Sequence, residues 1–397
     1  MTTHPSQGTG YARVANKITN YLADIPGVEV VYYGFQNYKG QEIKDRFINP
    51  KIKFYDAVEL DPDSPMGFGD KSIVPAITTE KPDMLFIYND ISTACAIMAL
   101  IPDKYMPPKK VLYADIVYPY EDISLYDKLK SYNFDKIWTF LDFWKNHLIN
   151  DIGFSCDLVD VLSHGIDFEC FVDIPQDEAK KKLGFDSDDF LFINMNRNSI
   201  RKELTINITA FLELLKRQNM NPKIKMLFGC LLNFEDGIDI RKVVKNECAR
   251  LDLDAKMILN NHIFITNNAF RMTDEQVNTV YNAGDVGINT GRGEGFGLTT
   301  LEHIYFNRPQ VVSSLPALKE TVGKYAWFVK PRVTKQSGNE EKHGGIVYFC
   351  DSDDFTNAFE YYFKNREDKP NAREYIKKRY NWENVYKVLD AYFIKEK

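Results

Sequence analysis

The chain has 397 residues, which suits two domains of ordinary size. Apolar residues make up 44% of it, ample for packed cores, and a net charge of −6 argues against a dedicated nucleic-acid binder. No uninterrupted apolar run approaches the ~20 residues that span a bilayer, and residues 1–6 lack the charged and apolar regions of a signal peptide. A soluble, cytoplasmic protein is expected, with peripheral membrane contact left open.

Short β-rich apolar runs alternate with helical patterns. Strands are predicted over 28–35, 52–58, 84–88, 110–114, 136–140 and 158–162, with helices such as 91–100 and 141–151 between them. The segment 170–184 is polar and charged and reads as a break. The alternation then restarts, with strands over 190–195, 224–228, 263–266, 286–289 and 310–313. Helices are predicted over 201–218, 238–251, 273–283 and 298–306. Such alternation indicates parallel sheets with right-handed crossovers. The fold class is α/β, with two doubly wound halves: 1–170, then 171–375, then a helical tail over 376–397. Ligands of doubly wound sheets sit at the carboxyl ends of the strands, so the cleft between the halves is the default site. Residues 334–345 (TKQSGNEEKHGG) read as a surface loop.

The beginning departs from this pattern. Gly8 and Gly10 stand in what looks like the first ligand loop, followed by a helix over 12–22. The strand that ordinarily precedes such a loop is expected to lie upstream of Met1.

Six cysteines, Cys95, Cys156, Cys170, Cys230, Cys248 and Cys350, form no CxxC pair and no cluster of zinc spacing. Reduced, mostly buried thiols are expected.

The strongest chemical signal is EGFGLTTLE over 294–302, after a predicted strand and the glycine turn 291–293. A glycine-rich turn opening a helix presents unpaired N–H groups and the positive end of the helix dipole, which suit a diphosphate. Gly295 and Gly297 allow close approach because they carry no Cβ. Glu302 is two helical turns beyond Glu294, where a carboxylate can accept from both hydroxyls of a ribose. The second signal follows the strand over 190–195. Arg197 and Lys202 stand five apart, where two cations can neutralise a leaving diphosphate; Arg201 is the competing cation of that turn.

These motifs resemble the retaining GT4 family of GT-B glycosyltransferases (glycosyl transferases group 1). Supporting pieces are YNAGDVGINT over 281–290, NRPQVVSSLPALKE over 307–320, SHGID over 163–167 and the helix start YNW at 380–382. The resemblance implies a GT-B fold, two Rossmann-like domains facing a central cleft, and hexose transfer from a nucleotide-diphosphate sugar to a hydroxyl of a glycan or other acceptor. It implies that Arg197 and Lys202 bind the donor phosphates and that Glu302 holds the ribose. Glu294 would contact hydroxyls of the transferred sugar, beside the N–H groups of Phe296, Gly297 and Leu298. Gly8 and Gly10 would close on the diphosphate from the first domain. GDP-mannose or a similar GDP-sugar is the favoured donor by family frequency. No bound metal is expected, because the cations do that work; Asp115 has Val117, not an aspartate, two residues on. The family ordinarily carries a histidine where Asp115 stands, so Asp115 becomes a candidate catalytic group, and His164 reads as structural. A nucleotide-sugar epimerase or phosphorylase of the same architecture, and a non-catalytic nucleotide-sugar binder, remain as alternatives.

Overall fold

The computed structural model describes residues 1–37, 46–266, 272–337 and 344–394. They fall into two units. The first comprises Met1–Gly165, Lys342–Gly345 and Trp382–Lys397, and the second Ile166–Glu341 and Ile346–Asn381.

In the first unit the strands are β1 (Thr2–Thr3), β2 (Val31–Phe35), β3 (Lys53–Asp56), β4 (Met84–Asp90), β5 (Lys109–Asp115), β6 (Lys136–Thr139) and β7 (Val159–Val161). They pair in parallel in the runs β1-β2-β3 and β4-β5-β6-β7. Met1 joins the runs: its amine donates to Phe86 O at 2.8 Å and its carbonyl accepts from Tyr88 N at 3.1 Å. The spatial order is therefore β3-β2-β1-β4-β5-β6-β7, and the order reverses between β1 and β4.

This corrects the expectation that the first strand is missing. Residues 1–3 occupy its slot between β2 and β4. They escaped notice because two threonines carry no apolar run; their place is set by backbone bonding to Phe35 and Phe86. The helix Gly10–Leu22 follows, with Thr9 accepting from Ala12 N at 3.1 Å as its cap. The tail helix Trp382–Phe393 packs within the same unit. Its Tyr386 stacks on Tyr21 at 3.8 Å, and its Asp390 accepts from Tyr21 Oη at 2.7 Å.

The second unit contains β8 (Phe190–Asn194), β9 (Ile224–Phe228), β10 (Ile263–Ile265), β11 (Val286–Asn289), β12 (Gln310–Ser313) and β13 (Trp327–Val329). They form one parallel sheet of order β10-β9-β8-β11-β12-β13. β8, β11 and β12 are buried at every position, as central parallel strands covered on both faces must be. Gly287 in β11 is required by close packing: a Cβ there would collide with His303 and Gln310. The helix Leu204–Arg217 packs its Ile208, Phe211 and Leu215 against Phe192 and Phe228 in the main core.

Three local readings are corrected. The strand predicted over 52–58 ends at Asp56, whose carboxylate accepts from Val58 N and Glu59 N and starts the helix Ala57–Leu60. The predicted break contains the helix Gln176–Lys182. It was hidden by lysines, yet Lys180 is buried, donating to Asp189 O at 2.6 Å and pairing with Asp285 at 2.8 Å. The predicted loop over 334–345 begins as strand β14 (Val333–Gln336), antiparallel to β15 (Ile346–Phe349); 338–343 lie outside the described residues.

Candidate functional site

Strand order reverses in the second unit between β8 and β11, and a doubly wound sheet opens its crevice at such a point. The two strands run parallel, Phe192 opposite Val286, so the turns that follow them leave the same sheet edge. Each strand ends on a fully buried asparagine. Asn194 Oδ1 accepts from Asn196 N at 3.0 Å, and Asn289 Oδ1 accepts from Gly291 N at 3.0 Å. A side-chain carbonyl replaces the backbone partner that the strand no longer supplies.

The two turns are then laced together. Arg292 N donates to Arg201 O at 3.0 Å, Thr290 Oγ1 to Lys202 O at 2.9 Å, and Arg201 Nη1 to Gly293 O at 2.6 Å. Arg292 pairs with Glu203 at 3.0 Å. The lacing carries Lys202 to Glu294: Nζ stands 2.5 Å from Oε2, both side chains buried, and Asn289 Nδ2 donates to the same oxygen at 3.1 Å. Arg201 Nη1 lies 3.6 Å from Oε1.

Burial opposes ionisation of both partners. For Glu294 it is outweighed by the charges of Lys202 and Arg201 and by hydrogen bonds from Lys202 and Asn289, which hold the carboxyl at about 2. For Lys202 burial dominates. Glu294 pulls the other way, but Arg201 and Arg197 add to the burial effect, and the amine falls to about 8. The arrangement is cation-rich around one carboxylate, so an incoming polyanion meets a surplus of positive charge.

Arg197 stands at the rim. Its guanidinium, half exposed, donates to Asp236 Oδ2 at 2.6 Å and lies 5.6 Å over the Phe234 ring. Gly295 and Phe296 are buried and lead into the helix Leu298–Ile304. Gly297 caps that helix at φ 92°, in the region that favours glycine. A Cβ there would meet Leu318 Cδ2 at 2.5 Å. Glu302 is buried and accepts from Tyr281 Oη at 2.7 Å.

The structure thus groups Lys202 with Glu294, places Arg197 beside them, and sets Glu302 on the helix that continues from Gly297. Sequence reading noted Arg201 only as a competing cation and overlooked Asn289; the recurrence of asparagine at both strand ends was its available signal. Asp115, Gly8 and Gly10 belong to the first unit. Asp115 ends β5 opposite Asp90, and its Oδ2 accepts from Tyr11 Oη at 2.6 Å. Burial, then the charges of Asp115 and Asp90, push the Tyr11 hydroxyl well up. Gly8 and Gly10 flank Thr9, the helix cap. His164 is buried against Tyr113, Nδ1 to Oη 2.7 Å, and burial followed by the Arg13 charge lowers it to about 3.

Among the described residues, the cluster with metal-like geometry is Asp186, Asp188 and Asp189, before β8 and at the opposite strand end from Lys202. The Lys223 ammonium lies among them at 2.9, 2.9 and 4.0 Å. No described helix is long and apolar enough to cross a membrane.

Residues 175–379, just over half of the chain, match the family described as glycosyl transferases group 1. No curated protein matches the sequence. Among solved structures the fold is similar to sucrose-phosphate synthase from Thermosynechococcus elongatus, at TM-score 0.71 and 14% identity over 98% of this chain and 93% of that one. It is similar to HepE of Anabaena in complex with UDP and glucose, at TM-score 0.68 and 13% identity over 97% and 96%. A glycosyltransferase from Rickettsia africae aligns at TM-score 0.57 and 16% identity over 81% and 79%. Identities this low speak for the fold, and the family match speaks for the chemistry: the chain belongs to the glycosyl transferases group 1 family and is a glycosyltransferase of GT-B fold.

Proposed function

We propose that the protein is a retaining GT4 enzyme that moves a hexose from a nucleoside-diphosphate sugar to a hydroxyl of a glycan or other acceptor. The observation that carries this reading is the buried Lys202–Glu294 pair, flanked by Arg201 and Arg197 at the β8/β11 reversal.

In the reaction the bond between the anomeric carbon and the phosphate oxygen breaks, and its electron pair leaves on the diphosphate. Positive charge builds on the sugar and negative charge on the leaving group. Lys202 and Arg197 neutralise the diphosphate, aided by the N–H groups of Phe296, Gly297 and Leu298. Gly295 lets the chain approach the phosphate. Glu294 accepts from hydroxyls of the transferred sugar, and Lys202, shared between carboxylate and phosphate, ties the two subsites. Glu302 takes the ribose. The acceptor oxygen attacks from the face the diphosphate leaves, and its proton passes to the departing phosphate oxygen. Asp115 accepts a hydrogen bond from an acceptor or sugar hydroxyl. Gly8 and Gly10 are assigned to the donor on the family resemblance, as is the absence of a resident metal.

GDP-mannose or a related GDP-sugar stands on the same resemblance. UDP-glucose is the competing donor, since HepE of Anabaena has been captured with it. Thermal-shift measurements with UDP, GDP, ADP and their sugars, followed by product analysis, test the reading. The true donor raises the melting temperature by mass action, and transfer to an acceptor follows. Conversion of the sugar without an acceptor marks an epimerase. Binding without turnover across a broad acceptor screen marks a non-catalytic binder. No stabilisation by any nucleotide removes the reading.

A further inference from the structure

The residue after Lys202 holds a strained backbone. Glu203 sits at φ 48° and ψ 45°, in the left-handed region that favours glycine. It ends the short helix Ile200–Lys202 and turns the chain into the helix Leu204–Arg217. A non-glycine residue keeps such a conformation only where its surroundings hold it. Here the carboxylate supplies the hold. Arg292 Nη1 donates to Glu203 Oε1 at 3.0 Å, with both side chains largely buried. Arg292 is anchored in turn by β15: its guanidinium lies 5.6 Å over the Phe349 ring, and its carbonyl accepts from Tyr348 N at 3.1 Å. Thr290 Oγ1 adds contacts to the carbonyls of Lys202 and Glu203, at 2.9 and 3.1 Å. Glycine would make the same turn without strain, so the turn does not explain a glutamate. A charge pair joining the turn after β8 to the turn after β11 does.

We infer that Glu203 and Arg292 are positioning residues, whose ion pair locks the left-handed turn after Lys202 and so fixes the Lys202 amine against Glu294. The consequence for donor binding rests on the reading of Lys202 as a phosphate ligand. The charged groups that face the amine are Glu294, Arg201 and Arg197, and burial is the largest influence on it. An amine released from this seat regains solvent, so its pKa rises from about 8 toward the ordinary 10.5.

Two variants test this. Glu203→Gly keeps the turn and removes the pair. Glu203→Gly combined with Arg292→Leu also leaves no buried guanidinium unpaired, and carries the same readings should the single variant fail to fold, as melting curves will show. Competitive amine labelling with acetic anhydride from about pH 6 to 10, read at Lys202 by mass spectrometry, follows the amine without any turnover. Calorimetric titration with UDP, GDP and ADP follows affinity. In both variants the Lys202 pKa should rise by about 1 or more. The nucleotide that wild type binds should be held about tenfold more weakly, as when a charge-assisted hydrogen bond is lost. A folded variant in which Lys202 titrates as in wild type overturns the inference and leaves the proposed function standing. A raised pKa with undiminished affinity upholds the positioning role and removes Lys202 from the donor phosphates. A wild type that binds none of the nucleotides overturns the proposed function, while the labelling still decides the role of the pair.

Discussion

Lys202 and Glu294 meet 2.5 Å apart, buried, although 91 residues separate them in the chain. The pair exists because β8 and β11 are neighbours at the reversal of strand order, so their following turns share one edge. Its electrostatics give a first prediction. The Lys202 amine falls from 10.5 to about 8. Between those values the unfolded chain binds more protons than the folded one, so stability rises with pH across that window. Catalysis runs the other way, because the phosphate-binding charge is lost as pH rises through about 8. The kcat/KM profile should show an alkaline limb there. Lys202→Arg should move that limb upward, since a guanidinium stays charged. Lys202→Ala should reduce kcat/KM by at least about thirtyfold, the equivalent of ~2 kcal/mol. An alkaline limb that stays in place in Lys202→Arg would assign it to another group.

Arg197 offers a contrast because its pair with Asp236 is half exposed on both sides. Exposed pairs contribute about 0–1 kcal/mol, so Arg197→Ala and Asp236→Ala should both melt within a few degrees of wild type. Their kinetics should diverge. Arg197→Ala should lose at least about tenfold in kcat/KM, as expected of a charge-assisted phosphate contact. Asp236→Ala releases the guanidinium and should not raise the donor KM. Wild-type steady-state rates in Arg197→Ala would withdraw that residue from the donor site.

Gly297 tests the backbone. At φ 92°, with a prospective Cβ 2.5 Å from Leu318 Cδ2, alanine is both strained and overpacked. Gly297→Ala should cost about 1–3 kcal/mol, lowering the melting temperature of the second unit by roughly 2–12 °C. Nucleotide affinity should fall with it, because the N–H groups that follow the glycine are displaced. Retained affinity despite a lowered melting temperature would show that those N–H groups do not hold phosphate.

The parts of this fold that were readable from sequence are those where burial dominates. β9, β11 and β12 are short, largely apolar runs of four or five residues, found at their observed bounds because such runs are too short for a helix and suit a buried strand. Polar elements escaped. β14 is exposed at every position and depends on pairing with β15, a relation local pattern does not carry. Lys180 conceals a helix because its charge is neutralised by Asp285, more than one hundred residues away. The site behaves the same way. Glu294, Glu302, Arg197 and Lys202 stand out by spacing, whereas the lacing by Asn289 and Arg201 follows from strand order. Sequence alone does not reveal that β8 adjoins β11.

Asp115 and Tyr11 are joined at 2.6 Å, which permits a paired test. If Asp115 accepts from an acceptor hydroxyl, Asp115→Asn should lower kcat by about 10- to 100-fold, the loss of one charge-assisted hydrogen bond, while nucleotide affinity holds. Tyr11→Phe should produce a smaller loss, since the carboxylate remains but its orientation is freed. Full turnover in Asp115→Asn would remove the residue from the mechanism and leave the pair as a purely structural bond.

Glu121 yields a prediction about stability alone. It is buried, and its Oε1 accepts from Val117 N at 3.3 Å and Tyr118 N at 3.4 Å. Burial raises its carboxyl from 4.5 to about 8, against those two hydrogen bonds and with a further push from Asp115 and Asp90. Between those values the folded chain binds the extra proton, so rising pH destabilises the first unit, by at most about 1.4 kcal/mol per unit. Glu121→Gln keeps an amide oxygen for the two N–H groups and cannot ionise. The variant should therefore match wild type near pH 5 and melt progressively above it as pH approaches 8. The difference in melting temperature between the two proteins, followed from pH 5 to 8, is the measurement. A difference that stays constant over that range would mean that Glu121 is ionised throughout and that the raised pKa is wrong.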